Sequence, residues 1–492
     1  MNLPLQEFGK DIALPLLFFA AMLLATPMSA ATQAASVPDC NPSKKLDRGF
    51  SRIFIALRNG RDGSGRSPED ALDGNTVEKF DRILRCYAEG CKDANTPRKS
   101  ISRLENLVVC LGPGTFQTKG AYDALIDVPH KSENGFTIGK GWRIHGSGRD
   151  KTAVQLAAYL PARDGGNPQH LPEASATGVV FSTNSDDASD VEISDLTIDD
   201  NYPALKAQAA KNGINALTLE AIHLRSDRGH NWIHDVNVIH AAGQIGAINI
   251  KYEAFPIFVY SVKAGSKPQD NSGNVIERVS MSAYGGGPCT AIAVANAVGE
   301  VRNNRVDGYA IGYGGWVMGQ VRFHDNMAVN TEYGFNIDSL ANDGVVIEKN
   351  QIIHPTKYGI VIGGPGTYSN FLIQNNTIQI DRPGVIGVLF RGNVTNATVS
   401  GNRILAEDFA LLATAIRNYS GEPGDGPNRN NSYQGNTISS RLRIVFKKPS
   451  RKEDNCFAGN HDENGHPLRD LADYQAGSCS TATPASSAPR QH

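Results

Sequence analysis

An isolated asparagine recurs inside short β-branched segments of the second half of the chain, and this repeat constrains the fold more than any other feature. A typical copy is VVIEKNQI, which contains Asn350. The shared pattern is apolar-x-x-Asn-x-apolar, and the spacing between copies is 22 to 34 residues. A period in this range is typical of solenoids, in which each repeat stacks on the next. The repeated asparagines are Asn304, Asn326, Asn350, Asn376, Asn402 and Asn436.

A second register follows the asparagines in the segments YGFNIDS, YGIVIGG and IGVLFRG, whose glycines are Gly334, Gly359 and Gly387. Alternating β-branched residues between turn residues predict short strands. Asparagine tolerates the left-handed backbone of a sharp corner. Stacked asparagine amides can also hydrogen-bond along the axis of a stacked β structure. We therefore predict that each asparagine marks the same corner of successive coils.

A leucine-rich repeat also places asparagine in an apolar frame, so it is the main alternative fold. Leucine is not the dominant apolar residue here, and segments such as GIVIGG have the period of a strand. The sequence therefore predicts an all-β chain, a single-stranded right-handed parallel β-helix solenoid with an N-terminal helical cap. The cap is an amphipathic helix within Asn75–Gly90, with Asn75 or Thr76 as N-cap, which would cover the end of the core.

Three early segments, VVCLGPGTFQT, WRIHGSGRDKTAVQL and ISDLTIDDN, resemble the opening coils of the pectate-lyase-like (pectin lyase fold) superfamily of right-handed parallel β-helix proteins. The resemblance covers Ile101 to Val445 and implies a fold. That superfamily contains lyases, hydrolases, epimerases and non-enzymes, so the resemblance does not select a reaction. A polysaccharide is the expected partner, and either a monomer or a trimer is expected.

The N-terminus indicates an exported protein. The apolar run Ile12–Ala25 is followed by the small residues Ser29–Ala31, which predicts a cleaved signal peptide, with an uncleaved anchor as the alternative. We therefore expect a secreted or periplasmic protein that has no membrane contact after cleavage. The formal net charge of −2 provides no basic field for nucleic acid.

Seven cysteines fit an oxidising compartment. Two disulfides are predicted among the first four, with the pairing left open, and one between Cys456 and Cys479. Cys289 is predicted to be a buried, unpaired residue. The first four cysteines are Cys40, Cys86, Cys91 and Cys110. The predicted boundaries are 1–35 for the signal peptide, 36–100 for the strand and helix cap, 101–445 for the β-helix, 446–480 for a disulfide-linked C-terminal cap, and 481–492 for a disordered tail.

Chemistry in a solenoid of this kind must lie on outward residues of neighbouring coils, because the interior is filled by apolar side chains. The segments AIHLRSD and AINIKYE are predicted to be adjacent strands. The following strand, AIAVANA, then offers only Ala293 and Ala295 outward, which predicts a groove beside a charged ridge. The alignment places His223 beside Asn249, Arg225 beside Lys251, and Asp227 beside Glu253.

This ridge suggests a lyase that acts on an acidic polysaccharide. Arg225 and Lys251 would neutralise a uronate carboxylate, and Lys251 or His223 would then remove the adjacent proton for β-elimination. The simpler alternative is a solvated lattice of salt bridges. The candidate catalytic residues are His223, Arg225, Lys251, Glu253 and Asp227.

Two other functions stay open. A glycoside hydrolase would use Asp199, Asp227 or Glu253 as acid and base, and a non-catalytic β-helix would only bind glycans or surfaces. Exposed aromatic rings would stack on sugar rings in either case. No metal site and no certain cofactor are predicted, and calcium is the one ion left open. The candidate substrate-binding residues are Asp199, Asp200, His230, Asn249, Tyr252 and Tyr284.

Overall fold

In the computed structural model, all of the residues described belong to the unit Asp39–His492. The residues described are 40–41, 43–58, 63–92, 100–101, 103–121, 135–161, 175–183, 189–214, 216–241, 243–244, 255–261, 267–284, 290–316, 318–338, 342–364, 366–406, 414–419, 427–440, 442–446, 450 and 454–468. The predicted signal peptide and tail, together with Cys289 and Cys479, lie outside these ranges. No helix within these ranges has the length and apolar character needed to cross a bilayer.

Strands dominate the described residues and form two large sheets of 23 and 12 strands. Almost all pairings in both sheets are parallel and join one coil to the next, as in the pairing of Val321–His324 with Val346–Glu348. The larger sheet supplies two faces of each coil, and the smaller sheet supplies the third. The predicted fold class is therefore confirmed: the chain is an all-β parallel β-helix solenoid.

The strands are grouped here by face. The first face contains Ser51–Ala56, Leu107–Leu111, Arg143–His145, Asn274–Glu277, Gly299–Arg302, Val321–His324, Val346–Glu348, Leu372–Gln374, Thr398–Ser400, Ser432–Gln434 and Cys456–Ala458. The second face contains Gly114–Thr118, Thr152–Leu156, Ser280–Ala283, Arg305–Asp307, Met327–Val329, Gln351–Ile353, Thr377–Ile380, Arg403–Ala406 and Thr437–Ser439. Two long strands, Glu192–Asp199 and Trp232–Ala241, run through both faces.

The third face is the 12-stranded sheet. The other elements are short, and of these Leu72–Asp73 pairs with Ser51–Ala56 in the larger sheet. The third face contains Leu160–Pro161, Ser175–Ser182, Ala216–Arg225, Gly243–Gln244, Ile257–Tyr260, Thr290–Ala295, Ile311–Trp316, Tyr333–Ile337, Tyr358–Ile362, Ile386–Arg391, Thr414–Tyr419 and Leu442–Phe446. The remaining elements are the strands Leu72–Asp73, Cys91–Lys92, Ser100–Ile101, Asn342–Asp343, Tyr368–Ser369 and Val394–Thr395, the α-helices Val77–Glu89 and Tyr202–Lys211, and the 3-10 helix Pro268–Asp270.

One continuous apolar cluster fills the interior from Ile53 to Leu468. At its N-terminal end, the helix Val77–Glu89 buries Phe80, Ile83 and Leu84 against this cluster. Thr76 is the N-cap, and its side chain accepts a hydrogen bond from the Lys79 amide. The helix thus covers apolar side chains that the first coils would otherwise expose, as the predicted cap requires.

The repeated asparagines form a buried amide ladder along the corner between the first and second faces. The Nδ2 group of Asn350 donates to Oδ1 of Asn376 at 3.0 Å, and the same contact joins Asn326 to Asn350 at 3.0 Å. Each ladder amide also donates to a backbone carbonyl, as Asn350 does to Phe323 O. The predicted hydrogen bonding along the axis is therefore confirmed. The ladder contains Asn304, Asn326, Asn350, Asn376, Asn402, Asn436 and one further member, Asn460.

The left-handed backbone at this corner belongs to the residue before each ladder asparagine. Asn303, Asp325 and Lys349 have φ values of 55°, 57° and 54°. The prediction that the repeated asparagine itself adopts this conformation is thus wrong. The physical reason is that the preceding residue makes the sharp turn, which leaves the ladder residue to point its amide into the core.

The repeated glycines also stack in register on the third face, since Tyr333 pairs with Tyr358 and Tyr358 pairs with Ile386. A Cβ atom on Gly359 would lie 2.4 Å from the Gly387 carbonyl oxygen. The coils therefore approach too closely at this point for any side chain.

Two disulfides join the first four cysteines, as predicted, and the structure supplies their pairing: Cys40 with Cys110 and Cys86 with Cys91. Cys456 is also disulfide-bonded. The second disulfide closes the loop at the C-terminal end of the helix Val77–Glu89.

Candidate functional site

A polar row crosses three neighbouring coils on the second face. Gln117 pairs with Gln155, and Gln155 pairs with Asp199. Side chains alternate along each strand, and the neighbours of these residues, such as Ile198 before Asp199, point into the core. Gln117, Gln155 and Asp199 therefore point outward. The Nε2 group of Gln117 donates to Oε1 of Gln155 at 3.1 Å, and Nε2 of Gln155 donates to Oδ2 of Asp199 at 2.7 Å. The row therefore ends on the Asp199 carboxylate.

His240 completes this row on the next coil. Its Nδ1 atom lies 2.8 Å from Oδ1 of Asp199, which also accepts a hydrogen bond from the Asn201 amide at 2.8 Å. A carboxylate can only accept, so the imidazole donates through Nδ1–H. In the neutral ring, Nε2 then carries the lone pair. His240 is thus oriented as a proton acceptor, with 43% of its side chain exposed.

The backbone at His240 is left-handed, with φ of 54°. This conformation is uncommon for residues other than glycine, although histidine is enriched in it. It occurs near the end of the strand Trp232–Ala241, where the pairing with the next coil shifts between Val238 and Ala241. The shift lets His240 turn toward Asp199, so the local irregularity positions the imidazole.

Tyr284 borders the same site. Its ring is 48% exposed and meets the His240 ring edge-to-face, with centroids 5.8 Å apart. Tyr284 follows the strand Ser280–Ala283, whose Ala283 pairs with Ala241. The structure therefore brings together two predicted substrate-binding residues, Asp199 and Tyr284, through a histidine that joins them.

Asp200, the next residue, has the opposite environment. It is fully buried, and neither of its carboxylate oxygens has a hydrogen-bond partner among the residues that the structure describes. Burial, followed by the nearby carboxylates of Glu220 and Asp199, raises the pKa of Asp200 well above its ordinary value, although His223 opposes this shift. Asp200 therefore cannot contact a polymer in this structure, which argues against its predicted substrate-binding role.

His223 lies in the same buried cluster as Asp200. Its Nε2 atom is 3.1 Å from Oε2 of Glu220 and 2.8 Å from the Phe255 carbonyl oxygen. His223 and Glu220 are both fully buried. His223 does point away from the coil interior, as expected, but it is covered rather than exposed.

The predicted register on the third face is wrong. The strand Ala216–Arg225 pairs with Ile257–Tyr260, so His223 lies beside Phe258 and Arg225 lies beside Tyr260. Phe258 and Tyr260 in turn lie beside Ala293 and Ala295. The predicted small-residue floor exists at these two alanines, but packed aromatic rings bury it. These rings belong to Phe255, Phe258, Tyr260 and Trp316.

The other predicted site residues are dispersed. Asp227 accepts a hydrogen bond from Ser261 Oγ at 2.8 Å, and the Arg225 amide donates to Thr183 Oγ1 at 2.9 Å. His230 is exposed in the loop before Trp232–Ala241, 3.8 Å from Asp190, whereas His240 lies near the end of that strand. Four predicted residues lie outside the described residues: Asn249, Lys251, Tyr252 and Glu253.

Within the described ranges, no group of three or more His, Cys, Asp or Glu side chains is arranged to hold a metal ion. The Asp199 carboxylate is already committed to three hydrogen-bond donors: Gln155, Asn201 and His240. The polar row therefore offers proton transfer and hydrogen bonding rather than an evident cation cage.

The signal for His240 lies in the register between coils and not in its local sequence. Asp199 pairs with Ile239 across one coil, so the histidine after Ile239 had to lie near the aspartate once that register was known. Glu220 gave no comparable signal, because it lies within the apolar strand ALTLEAIHLR.

The comparisons with known proteins found low similarity. No protein-family model matches the chain, and no curated protein matches it. The A-module of the Azotobacter vinelandii mannuronan C-5 epimerase AlgE4 is 14% identical, with a TM-score of 0.36 over 72% of this chain and 86% of that one.

Two further solved structures resemble the chain to a similar degree. A mannuronic acid-specific polysaccharide family 6 lyase from human gut microbiota is 14% identical, with a TM-score of 0.41 over 83% of this chain and 86% of that one. The tailspike protein of E. coli bacteriophage HK620 is 11% identical, with a TM-score of 0.45 over 84% of this chain and 78% of that one. Similarities this low carry no argument about the activity of this chain.

Proposed function

We propose that the chain is a carbohydrate-active β-helix protein that cleaves a uronate-containing polysaccharide by β-elimination at the Asp199–His240 site. The observation that carries this proposal is the 2.8 Å contact between Asp199 Oδ1 and Nδ1 of a half-exposed histidine. An imidazole held in one tautomer by a carboxylate is a suitable general base near neutral pH. This site replaces the predicted ridge around Arg225 and Lys251 as the location of the chemistry.

In the proposed reaction, His240 Nε2 accepts the proton on C5 of a uronate residue. The electron pair of that C–H bond forms a C4–C5 double bond, and the bond from C4 to the glycosidic oxygen breaks. The departing oxygen takes a proton from the imidazolium or from water, which yields a new reducing end and an unsaturated uronate. Asp199 stabilises the imidazolium that forms, because it accepts the Nδ1–H bond.

The rest of the polar row would position the sugar. Gln117 and Gln155 each use one amide N–H donor within the row, and each amide carries two. The second donor of each can bind a hydroxyl or carboxylate oxygen of the substrate. Tyr284 offers an exposed ring, whose face suits the C–H face of a pyranose.

Glycoside hydrolysis receives less support from these residues. That reaction requires an acid and a base or nucleophile, usually two carboxyl groups that flank the bond. Asp199 is held by three donors, Asp227 is bonded to Ser261, and Asp200 is buried. A single oriented base beside an exposed ring fits elimination better.

The test is incubation of the purified chain with polygalacturonate, alginate and a neutral glucan, each with and without calcium. The ultraviolet absorbance of unsaturated uronate and the number of reducing ends are followed in parallel. We expect both to rise on an acidic polymer, and we expect His240→Asn to abolish both while the circular-dichroism spectrum stays unchanged. Reducing ends without absorbance would indicate a hydrolase, and no product on any polymer would indicate a binding protein.

A further inference from the structure

The first face carries a large aromatic side chain that no step of the proposed reaction uses. Trp232 is 39% exposed at the start of the strand Trp232–Ala241, while His240 lies near the other end of that strand. Asp235, at the corner between them, has φ of 53°. The indole and the catalytic candidate therefore lie on different faces of the same coil.

The indole is held firmly in place despite its exposure. One of its faces stacks on the His234 ring, with centroids 3.8 Å apart, and its Nε1–H donates to Oε1 of Glu277 at 3.1 Å. Glu277 lies 2.7 Å from Nη1 of Arg278, which also holds Asp235 through a 2.7 Å contact at Nη2. Asp235 in turn lies 2.9 Å from Nδ1 of His234. These five residues form a closed circuit that fixes both an edge and a face of the ring.

The charge of His234 strengthens this arrangement. Burial lowers the pKa of His234, but hydrogen bonds to Asp235 and Glu192 outweigh burial and raise it to about 9. A cationic imidazole beneath an indole is favourable, because the ring face carries negative charge. The stack is therefore stabilised by more than its contact area, and only the opposite face of the indole can meet a ligand.

Charged side chains lie on the strands near Trp232. Arg302 is bonded to Glu277 through Nε and to Glu300 through Nη1, each at 2.7 Å, so its Nη2 group has no partner among the described residues. On the preceding coil, Glu192 lies beside Trp232 in register, and Val275 lies beside it on the following coil. An exposed indole face with an arginine and a carboxylate on nearby coils is suited to a ring that has C–H faces and polar edges.

We propose that Trp232 is the stacking platform of a second saccharide-binding subsite on the first face, which takes a pyranose ring of a uronate-containing glycan. The rigid indole binds with little loss of conformational freedom, because its surroundings already fix its rotamer. The choice of a uronate glycan rests on the proposed function. Stacking of a sugar ring on the indole does not depend on whether the chain cleaves the glycan.

The experiment is affinity electrophoresis of the full chain in gels that contain polygalacturonate, alginate or a neutral glucan. The variants are Trp232→Ala, Trp232→Phe, His240→Asn and Leu57→Ala. Leu57 is a matched control, since it is also 39% exposed but lies after the strand Ser51–Ala56, far from Trp232 in the order of the coils. Circular dichroism checks the fold, and Trp232→Phe retains a ring while it removes the Nε1 donor, so one of the two variants reports even if the other does not fold.

We expect an acidic polymer to retard the wild-type chain, Trp232→Ala to weaken binding about tenfold, and Trp232→Phe to fall between them. The Leu57→Ala variant should migrate like the wild type, and His240→Asn should make no product. Equal retardation of all folded variants would overturn the subsite, as would no retardation on any polymer. Retardation by the neutral glucan alone, with dependence on Trp232, would keep the platform and exclude a uronate as its ligand.

Discussion

Oδ1 of Asp199 lies 2.8 Å from Nδ1 of His240, and this contact joins two coils on the outer surface of the solenoid. The same carboxylate accepts hydrogen bonds from the Gln155 side chain and from the Asn201 amide. The imidazole is therefore oriented by a partner that is itself immobilised. Asp199 is a positioning residue in the proposed reaction, and His240 is its base.

Replacing Asp199 with Asn tests this division of roles. An amide can present its NH₂ group to Nδ1, which would favour the tautomer whose proton is on Nε2 and remove the base. We expect kcat to fall by roughly a thousandfold or more, with KM changed much less. Steady-state kinetics on the polymer that gives unsaturated product measures both constants. A large rise in KM with kcat preserved would instead assign Asp199 to substrate binding.

The amide ladder should contribute strongly to stability. Asn350→Ala removes the acceptor of the Asn326 amide groups and the donor to Asn376 and to the Phe323 carbonyl. Because these groups are buried, we expect the free energy of unfolding to fall by about 3–5 kcal/mol. Chemical denaturation measures the loss. Gln351→Ala, one residue away on an exposed outward position, is the control and should change the stability by less than about 0.5 kcal/mol.

Asp81, which is buried in the helix Val77–Glu89, should make the free energy of unfolding depend on pH. Burial raises its pKa to about 6, although Thr118 and the Lys119 amide donate hydrogen bonds to it. The folded pKa is above the unfolded value, so the contribution to stability is present below about pH 4 and is lost as the pH rises through 6. The wild type should therefore lose roughly 2–3 kcal/mol relative to Asp81→Asn between pH 4 and pH 7. Urea unfolding of both proteins across this range measures the difference, and a constant difference would contradict the raised pKa.

His234 should show its pH dependence in the alkaline range. Burial lowers its pKa, but the hydrogen bonds to Asp235 and Glu192 raise it to about 9 overall. Its stabilising contribution is therefore complete below the unfolded value of about 6.5 and is lost as the pH rises through 9. We expect His234→Gln to be clearly less stable than the wild type at pH 6 and to approach it at pH 10.

The later coils could be predicted from the sequence because their spacing is nearly regular. The asparagine register predicted the corner and the ladder, and the glycine register predicted a second strand in each coil, whereas the close approach of Gly359 to Gly387 was not predicted. The turning residue was misplaced by one position, since asparagine, aspartate, lysine and glycine all occupy it and no single residue type marks it.

The earlier coils could not be aligned in the same way. Ile222 pairs with Ile257 rather than with Ile248, because this coil is longer than the later ones. Every outward neighbour predicted for His223 and Arg225 depended on that alignment. His240 and Trp232 were missed as functional candidates for a related reason: the fold places them through contacts with other coils, and these contacts leave no pattern within the local sequence.

The ladder has a consequence for how such a chain can change over evolutionary time. Its members are separated by 22, 24, 26, 26, 34 and 24 residues, yet the amide contact is kept across every interval at 2.8 to 3.0 Å. One corner of each coil is thus invariant, while the rest of the coil can be lengthened. We expect insertions to be tolerated in the segments away from the ladder asparagines. At the ladder itself, only the addition or removal of a whole coil would preserve the amide contacts. The repeated corner would allow longer surface loops to be added without a change in the packing of the interior.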